Sequence, residues 1–268
     1  GAFTMLPFIE YKFGVYHVMG GLSEISQAMA KVARERGAQF YLGAPVQSLL
    51  IENRVVRGVI LEGGEVRRYD DVILNVDFGR AMTHLVPPGH LRKYSPEKLK
   101  RMRLSCSTFM IYLGLDTIYD IPHHAIVMAR NYRQNVDDVF LHGRLSEDFS
   151  FYVRNASRTD PSLAPPGHSS LYVLAPVPNL RSPICWQSEK AAMRQRVLEA
   201  LAQRGGCPGI QSHIREERIL TPDDWQNEYN VYEGATFNLA HSLGQMLYFR
   251  PHNRFEELGN CYLTGGGT

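Results

Sequence analysis

The 268-residue chain is 44% hydrophobic and 21% charged, the balance of an ordinary folded protein and not of a disordered one. A net charge of +2 is too mild to point to nucleic acid, and no run approaches the roughly 18 apolar residues that span a bilayer. The four cysteines (Cys106, Cys185, Cys207 and Cys261) lack paired spacing, which fits reduced thiols better than a disulfide framework or a zinc site.

The length allows one large domain or two smaller ones with a sizeable core. The first organised unit begins at Gly20-Gly21. Leu22, Ile25, Met29, Val32 and Ala33 recur at helical spacing, and Gly37 closes the helix. Gln39 to Leu42 is a short strand candidate. Val46 to Glu52, Asn53-Arg54 and Val55 to Leu61 read as a hairpin, and Glu62 to Glu65 as a further turn. Asp71 to Val76 is a short apolar run, the pattern of a strand buried on both faces. Helix, strand, hairpin and strand in that order are what remains of a dinucleotide-binding fold without its first βαβ unit.

After Asp77 the character changes. Pro87-Pro88-Gly89 is a linker-like break, and residues 90–103 are basic, predicting a surface helix plus loop. Ser105 to Leu115 and Ser169 to Ala175 are strong strands, aromatic and β-branched, suited to an antiparallel sheet walling a cavity. Met193, Val197, Leu198 and Leu201 mark an amphipathic helix ending at Gly205-Gly206. Ile214 to Leu220 is another strand, and Thr221-Pro222-Asp223-Asp224 a turn or helix start.

Chemical signals are sparse. His123-His124 and the scattered histidines show no metal-ligand spacing, and no G-x-S-x-G or P-loop is present. The aromatic stretch from Trp225 to Phe255 reads either as a ligand site or as core. At the end of the chain, Tyr262-Leu263-Thr264 breaks into Gly265-Gly266-Gly267-Thr268. Such a run either brings backbone close to a cofactor or is a frayed tail.

Longer stretches are more specific. Gly20-Gly21-Leu22, Leu74-Asn75-Val76-Asp77, Leu145 to Tyr152, Tyr172 to Pro178 and Phe249-Arg250-Pro251-His252-Asn253-Arg254 run through the whole chain. With the Tyr262–Thr268 ending they resemble the bacterial phytoene desaturases, FAD-dependent carotenoid desaturases related to carotenoid isomerases and amine oxidases. The resemblance implies an α/β fold: a partial FAD-binding dinucleotide fold with an α+β, antiparallel-sheet substrate domain. Residues 1–17 would end a preceding substrate segment and 18–77 belong to the FAD domain. Residues 78–233 would form the substrate domain, and 234–268 return to the FAD domain.

Family members normally open with a G-x-G-x-x-G turn and continue with His-Pro-Gly. Both are absent, so the chain is expected to be a fragment that alone neither retains FAD nor catalyses. The resemblance implies that Val46 backbone meets the adenine, and that Gly265, Gly266 and Gly267 approach the flavin with Asn75 and Asp77 nearby. Phe109, Ile111, Leu113, Leu171, Val173 and Ala175 alternate along two strands, a face expected either to line the polyene channel or to fill a closed core against helices.

The reaction implied is hydride transfer from a long isoprenoid chain such as phytoene to flavin, with catalytic residues not identified. A related isomerase, ketolase or hydroxycarotenoid desaturase is an alternative, as is a non-catalytic lipid-binding fragment. The substrate is worth about 0.8 kcal/mol per buried carbon unit if taken from water. Exchange with a membrane cancels most of that, implying a cytoplasmic protein peripheral to the inner face of the cell membrane. No metal and no nucleic acid are expected.

Overall fold

The computed structural model describes residues 4–267; residues 1–3 and Thr268, the last of the terminal run, lie outside the described residues. Helix α1 (Met5–Phe13) precedes the Gly20-Gly21 crossover and α2 (Ser23–Glu35). The predicted helix is present, but its stripe of Leu22, Ile25, Met29 and Val32 is exposed. Gln39 to Leu42 forms no strand, and Phe40, Tyr41 and Leu42 are exposed. A strand needs a neighbour for its N–H and C=O groups, and among the described residues none pairs with this one.

The hairpin forms as the residues demand. Strands β1 (Val46–Glu52) and β2 (Val55–Leu61) pair antiparallel, joined by Asn53 and Arg54 at φ 50° and 63°. Left-handed backbone at both loop positions is the twist-matched two-residue turn, and Asn tolerates it. The turn after Leu61 leads to β3 (Val66–Arg68), completing the sheet β1-β2-β3. Strand β4 (Val72–Leu74) buries Val72 and Leu74, but Ile73 is 68% exposed. The expectation of burial on both faces therefore fails, because this strand belongs to a two-stranded pair covered on one side.

Asp77 then caps α3 (Phe78–Arg80), which widens into a π turn over Ala81–Leu85. Ser95 caps α4 (Pro96–Arg101) with Pro96 in its first turn. The large sheet is assembled from β5 (Ser107–Leu115), β6 (His124–Val127), β7 (Phe151–Asn155), β8 (Ser169–Val177) and β9 (Ile214–Leu220), in the spatial order β6-β7-β8-β5-β9. Helix α5 (Tyr132–Asp137) lies between β6 and β7 in sequence; α6 (Trp186–Arg204) and α7 (Ile210–His213) lie between β8 and β9. Thr221 and Asp224 form a reciprocal capping box that starts α8 (Pro222–Asn227). Last comes β10 (Cys261–Leu263), which pairs parallel with β4.

Two core clusters fill the described residues. In one, Phe109, Ile111, Leu113, Leu171, Val173 and Ala175 pack under Trp186, Met193, Val197, Leu198 and Leu201 of α6. The β5–β8 register sets Phe109 opposite Ala175, Ile111 opposite Val173 and Leu113 opposite Leu171, so the six share one face. The other cluster joins β1, β2, β4 and β10 through Leu49, Val56, Val72, Leu74, Cys261 and Leu263. The sequence places a division after Asp77; Phe78, Met82, Tyr94, Leu99 and Leu104 nonetheless pack in this second cluster.

A buried carboxylate ties the crossover to the large sheet's loops. Asp160 accepts from Gly20 N at 2.6 Å, Ser162 Oγ at 2.5 Å, Ser162 N at 3.1 Å and His17 Nε2 at 3.3 Å. The Ser162 hydroxyl, then the Gly20 amide, and less strongly His17 hold its pKa down to about 2, against an ordinary 3.8. A depressed folded-state pKa contributes stability that is whole above the unfolded value and is lost as pH falls through the folded one.

Two outcomes follow for stability. Phe109 is fully buried and stacked on Trp186 at 5.7 Å. Phe109→Ala should cost about 3–5 kcal/mol in a denaturant titration; a loss under about 1 kcal/mol would show that the α6 face is not a closed core. Asp160→Asn should lower the melting temperature most near pH 5, with the gap from wild type shrinking as pH falls from about 4 toward 2. A gap that stays constant over that window would contradict the tether.

Candidate functional site

The parallel pairing of β4 with β10 brings two predicted groups of residues together. Thr264 N donates to Leu74 O at 3.0 Å, so the ladder runs one residue past β10 before the chain turns. Asn75, Val76 and Asp77 leave β4 at the same end where Gly265 to Gly267 leave β10. The carboxyl end of parallel strands is where open α/β sheets place their ligands.

Gly265 sits at φ +108°, a region that L side chains avoid, and a Cβ there would stand 3.0 Å from Asn75 Oδ1. A Cβ at Gly266 would meet nothing within 4 Å, so one side of the turn is open; one at Gly267 would press on Phe78 and Asn238 at 3.1 and 3.3 Å. Glycines at 265 and 267 thus admit a close backbone approach from both sides. Far from trailing loose, the turn is braced from behind: Arg250 Nη2 donates to Gly266 O at 3.1 Å.

Asp77 lies in the same place but is committed within the fold. Its carboxylate accepts from Arg80 N at 2.8 Å, Tyr232 N at 3.2 Å and Asn238 Nδ2 at 2.9 Å. Burial pushes its pKa up, and those donors oppose the shift without cancelling it. Its work is to cap α3 and fasten the 232–238 segment beside the turn. Gly79 permits that fastening, since a Cβ there would lie 2.5 Å from the Tyr232 ring. Val46 lies in another sheet, opening β1 opposite Leu61. Sequence reasoning passed over Glu257, which is buried and accepts from the backbone N–H of Arg92, Lys93 and Tyr94 at 2.6, 2.8 and 3.0 Å. Its signal is weak, an acid in an ordinary Glu-Glu pair.

The large sheet places the six expected channel-or-core residues under α6. Phe109, Ile111, Leu113, Leu171, Val173 and Ala175 are buried against α6, and of the six Leu113 also borders a cavity of about 410 Å³. An apolar helix stripe covers the fully apolar face, which is why these residues are core. The alternate face carries Met110, Tyr112, Tyr152, Arg154, Tyr172 and Leu174, which the registers set side by side.

On that face the rings form a continuous row. Tyr112 and Tyr172 lie 5.7 Å apart, Tyr172 and Tyr152 5.7 Å, and Tyr152 and His124 5.9 Å. His123 follows at 4.3 Å and His17 at 5.0 Å. Arg154 lies over the Tyr172 ring and donates to His123 Nε2 at 3.3 Å. Burial raises the Tyr152 phenol to about 12, so it stays protonated at any ordinary pH. Burial, then His124, Arg154 and His17, lower His123. The histidine end borders a cavity of about 460 Å³ reached by Val15, Val18 and Leu22. A second cavity of about 600 Å³ lies between Leu104, Cys106, Phe140, Phe237 and His241. The alternation in Ser105–Leu115 that marks the core face marks this face as well, by its tyrosine.

Comparison with known proteins places this geometry. The model of the flavin containing amine oxidoreductases matches residues 2–268. The 4,4'-diapophytoene desaturase (4,4'-diapolycopene-forming) of Methylomonas sp is 54% identical over 99% of this chain and 52% of its own length. The all-trans-zeta-carotene desaturase of Myxococcus xanthus is 41% identical over 99% and 51%. An oxidoreductase structure from Methanosarcina mazei superposes with a TM-score of 0.63 at 19% identity, covering 97% of this chain and 52% of that one. The chain spans about half the length of the curated relatives it matches. The chain belongs to the flavin containing amine oxidoreductase family.

A flavin fits the residues present in one respect and not in another. The open side of the Gly265–Gly267 turn, at the carboxyl end of two parallel strands, suits a planar ring approached by backbone. Asp77, by contrast, is engaged by three donors of the fold itself and serves as scaffold.

Proposed function

We propose that this chain is about half of an FAD-dependent carotenoid desaturase that introduces C=C bonds into phytoene or its shorter 4,4'-diapo counterpart. The observation that carries the reading is 54% identity with a diapophytoene desaturase along 99% of the chain. The ring-lined face of the large sheet, a surface for an extended polyene, supports it independently.

In this reading residues 4–17 and the large sheet belong to the substrate part. The β1–β4 unit and the return from Gly234 through β10 belong to the cofactor part. A bound flavin supplies the two-electron acceptor that no side chain provides. The Gly265–Gly267 backbone and Asn75 hold the cofactor's ring end, and Val46 backbone meets its adenine. Met110, Leu174 and the faces of Tyr112, Tyr152 and Tyr172 bury the polyene and exclude water along it. The protein exchanges its substrate with a bilayer from the cytoplasmic side; no helix of the described residues is long and apolar enough to cross one.

The complete enzyme should be given phytoene and diapophytoene in liposomes and its products weighed. Loss of hydrogen pairs supports desaturation, whereas isomers of unchanged mass would make it an isomerase. Tyr172→Glu should cut turnover roughly tenfold or more, since 1.4 kcal/mol of lost binding is a factor of ten, with flavin absorbance and melting temperature retained. Full activity in that variant would remove the polyene from this face.

A further inference from the structure

Arg250 is 7% exposed, yet among the described residues no carboxylate pairs with it. Arg144, Arg194, Arg204, Arg215 and Arg218 each meet an Asp or Glu. Arg250 meets carbonyls: Nη1 donates to Leu239 O at 3.2 Å and Gln245 O at 3.5 Å, and Nη2 to Gly266 O at 3.1 Å. Carbonyl dipoles satisfy the donors but leave the net charge standing, in a place where water does not screen it. Burial lowers its pKa from the usual value, and the Tyr94 phenol opposes that shift.

The contact with Gly266 gives the charge a direction. The peptide between Gly266 and Gly267 is trans, as are all those described, so its N–H points opposite to its C=O. With the carbonyl turned toward Arg250, the positive end of that peptide dipole faces away from the guanidinium. The guanidinium thus meets the carbonyl end of that peptide, and the Gly267 N–H forms its far end.

We propose that Arg250 is a positioning residue for flavin reduction: its uncompensated charge, acting through the Gly266–Gly267 peptide, stabilises the electron-rich reduced ring at the glycine turn. This rests on the reading that the turn receives flavin. In desaturation the substrate gives a hydride to the ring and a proton to solvent as its C=C bond forms. One negative charge therefore arrives at the ring, and a fixed positive potential favours it.

The test uses the flavin-loaded complete enzyme, with Arg250→Met and Arg250→Lys. Titration with a reductant in the presence of a reference dye reads the flavin's potential without turnover. Arg250→Met should shift the oxidised-to-reduced ratio at least tenfold toward oxidised, about 30 mV for a two-electron couple, while Arg250→Lys keeps most of the wild-type value. An unchanged potential in Arg250→Met with flavin bound would overturn the proposal and leave a brace alone. If Arg250→Met releases its flavin, Arg250→Lys decides. Lysine cannot fork across three carbonyls, so retained flavin at near wild-type potential supports the charge, and lost flavin shows a clamp and refutes it. Wild-type enzyme that binds no flavin would instead sink the cofactor reading itself.

Discussion

Three residues of parallel ladder carry the architecture. Val72, Ile73 and Leu74 pair with Cys261, Tyr262 and Leu263, and the pairing is extended by Val72 N to Asn260 O and Thr264 N to Leu74 O. Everything in the second core converges on that pair: the β1–β2 hairpin through Leu49 and Val56, the 78–104 segment through Phe78 and Tyr94, and the return through Phe255 and Leu258. Parallel strands cannot be joined by a tight turn. Here the connection is the whole large sheet, and the closing of so long a loop is offset by burying apolar side chains from both ends of it.

Charged groups finish what the ladder starts. Glu257 gathers three successive amides of residues 92–94, Asp77 gathers amides at 80 and 232, and Asp160 gathers those of Gly20 and Ser162. Each is a carboxylate bridging segments remote in sequence and bound by at least two backbone N–H groups, which hold an anion well. Arg250 does the converse with carbonyls. Such groups fix geometry where apolar contact would allow sliding.

Local elements with strong chemistry were legible in the residues: the Asn53-Arg54 hairpin, the α6 stripe, β5, β8, β9 and the Thr221 capping signal all appear where the pattern puts them. Elements that depend on a neighbour were not. Gln39–Leu42 has strand composition and no pairing partner, and Ile73 looks like core but lies on the uncovered side of a narrow pair. Edge strand β6 and its neighbour β7 went unseen because four or five residues of mixed polarity carry little periodicity. Within the candidate site, Asn75, Asp77 and the glycines were grouped by the family resemblance, and the β4–β10 pairing sets them at one strand end. Alternation in β5 and β8 reveals two faces but not which one α6 covers, so the residues alone left core and channel both open. Arg250 was quoted within a motif without a role, because a side chain's missing counter-ion exists only in three dimensions.

The large sheet is continuous in sequence, from Ser107 to Leu220, while the second core takes its side chains from either side of it. The sheet is thus a module inserted into a loop of the other unit, anchored where the chain leaves and re-enters near Leu104 and Leu239, which bridge to each other. Side chains on its ring-lined face can be exchanged without disturbing β4, β10 or the glycine turn. Two units so joined can vary separately, since substitutions far apart with no shared partners act nearly independently.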